Sequence, residues 1–167
     1  MSRLKCAAGA TLKLTQAVEE GPYYKPGSPE RGSIAGAGTA GLKLVLEGRV
    51  LDRDGHAVNH AWLDFWNADG NGQYDNAAYN LRGHQYTDKN GRYCLETVRP
   101  VQYLSRAPHI HAKVRANAGS PTLTTQLFSP GEKRNKTDAL FRKETVMEVV
   151  KEGDIQKAVF DFVVETG

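Results

Sequence analysis

Apolar residues in this chain alternate with polar ones in short runs, and almost nowhere recur at the three-to-four spacing of a helix. Residues 42–52, Leu-Lys-Leu-Val-Leu-Glu-Gly-Arg-Val-Leu-Asp, predict a strand closed by a turn at Asp54-Gly55. Residues 60–68, HAWLDFWNA, place Trp62, Asp64 and Trp66 on one face and Ala61, Leu63 and Phe65 on the other. Both tryptophans read as core, because bulky rings need packing partners. A loop opens at Asp69-Gly-Asn-Gly72 and runs on through Tyr74 to Tyr79, and a second turn lies at 87–91. Residues 92–98 predict a strand ended by Arg99-Pro100, and residues 109–114 another, with Ile110, Ala112 and Val114 opposite His109, His111 and Lys113. Residues 122–128 form a further β-branched run, and 137–143 a short helical stretch capped by Thr137 or Asp138. Residues 146–150 and 155–164 close the chain around Glu152-Gly-Asp154. Seven or so short strands with regular turn signals and little helix predict an all-β fold, an antiparallel β-sandwich.

Upstream, residues 19–41 are rich in Pro, Gly and Ser and lack periodicity, and the chain before them is too short to be a domain. Residues 1–41 therefore read as an arm wrapping a sandwich of residues 42–167, with Tyr23 and Tyr24 needing a place to bury their rings. Composition adds exclusions. With 167 residues, 25% charged and 40% apolar, the chain fits one ordinary globular domain. A net charge of +3 without Lys/Arg runs or interleaved aromatics argues against a nucleic-acid partner. No apolar run is long enough to span a membrane. The first fifteen residues lack the continuous apolar stretch of a secretory signal. Cys6 and Cys94 are too few for a disulfide framework and sit in no Cys-x-x-Cys pair, so reduced thiols and a cytoplasmic location are the expectation. A homo-oligomer stays open.

Candidate chemistry concentrates in residues 101–114, VQYLSRAPHIHAKV. Side chains two apart on a strand point the same way, about 6–7 Å apart at the backbone. His109 and His111 can thus converge on one metal ion; the alternative is a pair of histidines on a solvated strand face. Tyr103, Arg106, Tyr74 and Gln126 are the other groups within plausible reach, with Tyr79 or Tyr86 as alternatives to Tyr74. Phenol is a selective ligand: with an ordinary pKa of about 10 it stays protonated beside most divalent ions. A trivalent iron is charged enough to remove that proton, and two phenolates with two neutral imidazoles bring Fe(III) close to neutrality. His56, His60 and His84 read as surface or turn residues, and Asp52, Asp54, Asp69 and Asp88 as turn formers.

The ordered pieces EGPYY, GRVLDRDGHAVNHAWLDFWNADGNGQYDN, LRGHQYTDKNGRY, RAPHIH and LTTQLF, from Glu20 to about Gly131, resemble the intradiol ring-cleavage dioxygenases, the family of catechol 1,2-dioxygenase and protocatechuate 3,4-dioxygenase. The resemblance implies a ferric centre held by Tyr74, Tyr103, His109 and His111. It implies that Tyr74 is the tyrosine that leaves when substrate binds and accepts a substrate proton, while Tyr103 stays. Arg106 would stabilise charge on the ring carbon that meets O2, Gln126 would stand beside the substrate, and Pro22 and Tyr23 would line the pocket mouth. The implied reaction opens a catechol-type diol with O2 to a cis,cis-muconate. The chain departs from better-known members in lacking an N-terminal helical domain and in having only five residues between Tyr103 and His109. The short Tyr103–His109 segment implies a shallower, more open site tolerant of substituted catechols. Two other readings remain: a cupin-like metal enzyme, weakened by Arg115 where a glutamate is needed, and a transthyretin-like binding module without catalysis.

Overall fold

Nine short strands build two sheets in the computed structural model, which describes residues 11–167. The strands are β1 (Lys43–Leu51), β2 (Trp62–Trp66), β3 (Arg82–Tyr86), β4 (Arg92–Val98), β5 (His109–Arg115), β6 (Leu123–Phe128), β7 (Glu148–Glu152), β8 (Ile155–Val159) and β9 (Phe162–Val163). One sheet runs β4-β1-β8-β7 with β9 also pairing β1; the other runs β3-β2-β5-β6. Cys6 and the opening residues, on which the reading of the leader rests, lie outside the described residues.

Alternation explains why the sheets face each other. Leu44 and Leu46 of β1, Leu95 of β4, Leu63 and Phe65 of β2, and Ile110, Ala112 and Val114 of β5 all point inward and are buried. Each fully buried leucine or phenylalanine stabilises the fold by roughly 1.5–3 kcal/mol relative to exposure. The expected all-β sandwich is what forms, with one refinement: β1 pairs β8 and β9 in parallel, so the first sheet is mixed rather than antiparallel. Parallel pairing needs a long crossover, and here the connection carries the whole second sheet together with β4 and β7.

Two local expectations fail for identifiable reasons, and one strand carries no signal in the sequence. Residues 137–143 do not form a helix; 3-10 turns lie instead at Lys133–Lys136 and Lys143–Thr145. Asp138 Oδ1 still accepts from the Leu140 N–H as a cap would, while Oδ2 is committed to the Ala107 N–H and to Arg106, and only a turn follows. Strand β3 has no alternation to announce it, and its Gly83 is required by the arm, since a Cβ there would come within 2.6 Å of Ile34 Cγ2. Trp62 is not core: it is half-buried beneath the Arg115 guanidinium at 4.7 Å. Trp66 is core as expected, fully buried with its ring stacked on His111.

Three turns share one construction. Asp52, Asp69 and Asp88 each accept from the backbone N–H groups two and four residues on. Each is followed three residues later by a glycine at positive φ: Gly55 at 85°, Gly72 at 78° and Gly91 at 74°. A side chain there would strain the backbone, so Asp-x-x-Gly specifies the turn locally. Residues 11–41 carry no strand of their own and lie along both sheets. Leu12 donates to Arg53, Thr15 to Val163, Val18 to Thr124 and Ile34 to Glu96. Gly41 meets Gly70 so closely that a Cβ on Gly70 would lie 2.5 Å from the Gly41 Cα. Among the described residues no helix is long and apolar enough to cross a membrane.

Candidate metal centre

Strand β5 lies between β2 and β6: His111 is paired on both sides, by Trp66 and Gln126, while His109 opens the strand opposite Phe128, and both are buried. The two-residue period sends both rings to the same side, and their Nε2 atoms lie 3.1 Å apart. His109 Nδ1 donates to the Ala107 carbonyl at 2.6 Å, which fixes the tautomer and leaves Nε2 with its lone pair bare. His111 is oriented differently: its ring stacks on Trp66 at 4.6 Å and 6°, and its Nδ1 has no hydrogen-bond partner. Burial pushes His109 down to about 4, and burial with His109 beside it pushes His111 well below the ordinary histidine value. Both imidazoles are therefore neutral at pH 7, the state in which they bind metals.

Tyr74 follows the Asp69 turn. Its hydroxyl lies 3.0 Å from His111 Nε2 and 3.4 Å from His109 Nε2. An ion about 2.0–2.1 Å from each nitrogen requires adjacent ligand atoms to be about 3 Å apart, and these three atoms meet that requirement. Burial raises the Tyr74 phenol above its ordinary pKa, with Arg106 opposing the shift. A strongly charged cation would be needed to remove its proton. Tyr103 shares the cavity, its ring 5.8 Å from that of Tyr74, but its hydroxyl pairs with Tyr23 Oη at 2.5 Å. That hydrogen bond, ahead of burial, raises the Tyr103 phenol. Tyr23 in turn stacks on Tyr74 at 4.7 Å.

A cavity of about 280 Å³ opens over this group, lined among others by Pro22, Tyr23, Tyr74, Tyr103, Arg106 and both histidines. Arg106 Nε donates to Asp138 at 2.8 Å and its Nη2 donates to Gln126 Oε1. Burial works against the Asp138 charge, but hydrogen bonds from Ala107 and Arg106 hold its carboxyl below the usual range. Gln126 is fully buried behind Arg106 and donates to the Glu19 carbonyl at 2.9 Å, tying Arg106 to the arm. Elsewhere, Asp52, Asp54 and His56 bring potential ligand atoms within 4.8 Å of one another. Asp52 already serves the backbone of its own turn, so this grouping is explained without an ion.

Residues 18–166 match the family profile described as Dioxygenase. The chain belongs to the intradiol dioxygenase family. It is 31% identical over 151 residues to hydroxyquinol 1,2-dioxygenase of Nocardioides simplex, covering 76% of this chain and 51% of that protein. It is 30% identical over 166 residues to catechol 1,2-dioxygenase of Acinetobacter baylyi, covering 81% and 53%. The chain thus spans about half the length of these curated relatives. The dioxygenase domain of a dioxygenase–carbohydrate-binding fusion from Streptomyces sp. SirexAA-E superposes with a TM-score of 0.89 at 42% identity, covering 93% of this chain and all of that one.

Within this intradiol family framework, three residues that the sequence pattern did not assign to the site shape the centre. Arg82, 2% exposed, donates to the carbonyls of Tyr23 and Asp75 and to Asn76 Oδ1, joining arm, tyrosine loop and β3. Asp138 holds Arg106, and Trp66 holds His111. Arg82 pairs with Trp66 across β3 and β2, on the sheet face that carries His111, and nothing in its own segment signals that placement.

Proposed function

We propose that this chain is a non-haem Fe(III) intradiol dioxygenase, cleaving a catechol-type aromatic diol with O2 between its two hydroxyl-bearing carbons to a cis,cis-muconate. The observation that carries this reading is the meeting of Tyr74 Oη, His109 Nε2 and His111 Nε2 within 3.4 Å, at the base of an open cavity. When bound, ferric iron would withdraw electron density from a chelated diol and so open the ring to O2.

The chain's own residues divide the remaining work. His109 and His111 supply neutral nitrogen, one fixed by the Ala107 carbonyl and the other by Trp66. Tyr74 is the phenol that stays, because its hydroxyl already stands against both nitrogens. Tyr103 is the phenol free to leave and to hold a proton released by the diol, because Tyr23 Oη is already its partner. This exchanges the roles that the resemblance implies for the two tyrosines. Arg106 faces the cavity with its orientation set by Asp138 and Gln126, and stabilises negative charge developing on the ring. Pro22 and Tyr23 form part of the cavity wall.

The test is iron content, visible absorption and oxygen uptake of the purified protein with catechol, hydroxyquinol and 3,4-dihydroxybenzoate. A burgundy, iron-containing protein that consumes O2 and forms a muconate is expected. A colourless, iron-free protein from iron-replete cells, inert toward every diol, would return the reading to a binding module.

A further inference from the structure

The cavity lining divides by burial. Its covered part holds the buried His109 and His111 with half-buried Tyr74 and Arg106, while its exposed rim holds Pro22 and Leu104 beside Glu19, with Leu140 and the rings of Tyr23 and Tyr103 completing the wall. Leu104 is 76% exposed, the largest value among the exposed large hydrophobic residues described, and sits at φ 50°. Left-handed backbone is unfavourable for leucine, so this exposed position is held at a local cost. At about 280 Å³ the cavity falls just below the roughly 300–1,000 Å³ that hold drug-sized ligands, which suits one ring with a small substituent.

Charge at the site points the same way. Arg106 is the one cation lining the cavity among the described residues, and its Nε and Nη2 are engaged by Asp138 and Gln126. The other formally charged lining residue among them is Glu19, an anion. Lys113, on the same strand as the histidines, lies outside the lining and pairs with Glu20 at 2.5 Å. A carboxylate carried on the ring would be desolvated at this mouth without a cation to receive it. An alkyl group would instead cover Leu104 and Leu140.

We propose that the site selects catechols bearing a neutral, apolar ring substituent and discriminates against those bearing a carboxylate, with Leu104 as the deciding side chain. This rests on the ring-cleaving function proposed above. Two readouts test it on the iron-loaded protein: kcat/KM from oxygen uptake, and Kd from anaerobic calorimetry, each for 4-ethylcatechol and 3,4-dihydroxybenzoate. The ethyl compound should be favoured by about tenfold or more in both, the size of effect an apolar pocket exerts on a small alkyl group. In Leu104→Lys the ratio should fall at least about fivefold, and in Leu104→Ala by less. Equal treatment of the two substrates, or a ratio unmoved in Leu104→Lys, would overturn the proposal. Turnover without preference defeats this inference and leaves ring cleavage standing. Binding with the stated preference but no turnover defeats ring cleavage and leaves the inference standing. Failure to bind either diol defeats both.

Discussion

The two tyrosine segments of the cavity are built in opposite ways. Tyr74 leaves a turn closed by Asp69, and the next residue, Asp75, accepts from the backbone of Ala77, Ala78 and Asn80. Arg82 then clamps the same loop through Asp75 and Asn76. Tyr103 sits in a tight reversal whose backbone closure is a reciprocal pair with Arg106, at 3.3 and 2.7 Å, around an exposed leucine in left-handed conformation. A loop closed by several backbone-to-carboxylate bonds resists displacement; a reversal whose own backbone closes through two bonds, anchored by side chains only at Tyr103 and Arg106, yields at lower cost. In the proposed chemistry that difference sorts the two phenols, so that Tyr74 fixes the metal and Tyr103 makes way for the substrate.

Removing either phenol tests that contrast most severely. Tyr74→Phe should lose more than about 100-fold in iron affinity, beyond the 10–100-fold typical of groups that merely orient a ligand, and turnover with it. Tyr103→Phe should keep more iron than Tyr74→Phe while turning over poorly; the reverse order in iron content would assign the fixed role to Tyr103. Arg106→Ala comes next, with kcat lower by about 10²–10³-fold and the tyrosinate colour retained, as expected for loss of one charge-stabilising donor. A normal kcat there would remove Arg106 from the chemistry. Arg82→Met leaves the carbonyls of Tyr23 and Asp75 without their donor, and should weaken iron retention by about 10-fold while lowering stability by about 1–3 kcal/mol. An unchanged visible spectrum and Tm would show that the clamp is dispensable.

The smallest effect concerns acid. Burial holds His109 to about 4 against an ordinary 6.5, so between those values the unfolded chain binds a proton that the metal-free native chain refuses. Stability of the metal-free protein should be highest above pH 6.5 and fall as pH drops toward 4. Tm measured across that window should slope less in His109→Gln; equal slopes would show that His109 does not carry the effect.

Much of this arrangement could be read from residue order because its causes are local. The spacing of His109 and His111 sets their common face, and Asp-x-x-Gly sets each turn. What escaped depends on partners remote in sequence. Nothing near Tyr103 announces that its hydroxyl will find Tyr23, eighty residues away. Strand β3 is recognisable only once Ile34 of the arm is seen to need Gly83. Trp62 and Trp66 share a face in the pattern, yet one lies under a surface arginine and the other against an imidazole, because the two ends of one strand meet different neighbours. The expected helix at 137–143 failed for the same reason: Asp138 is taken up by Arg106, thirty-two residues earlier.

The parallel stack of Trp66 on His111 also supplies a built-in optical probe. Two indoles are present in the sequence, and Trp66 is the one stacked on His111, a proposed metal ligand. A paramagnetic ion captured by that imidazole would quench Trp66 emission while leaving the more solvated Trp62 as an internal reference. Occupancy could then be followed by fluorescence in unlabelled protein, before any substrate is added.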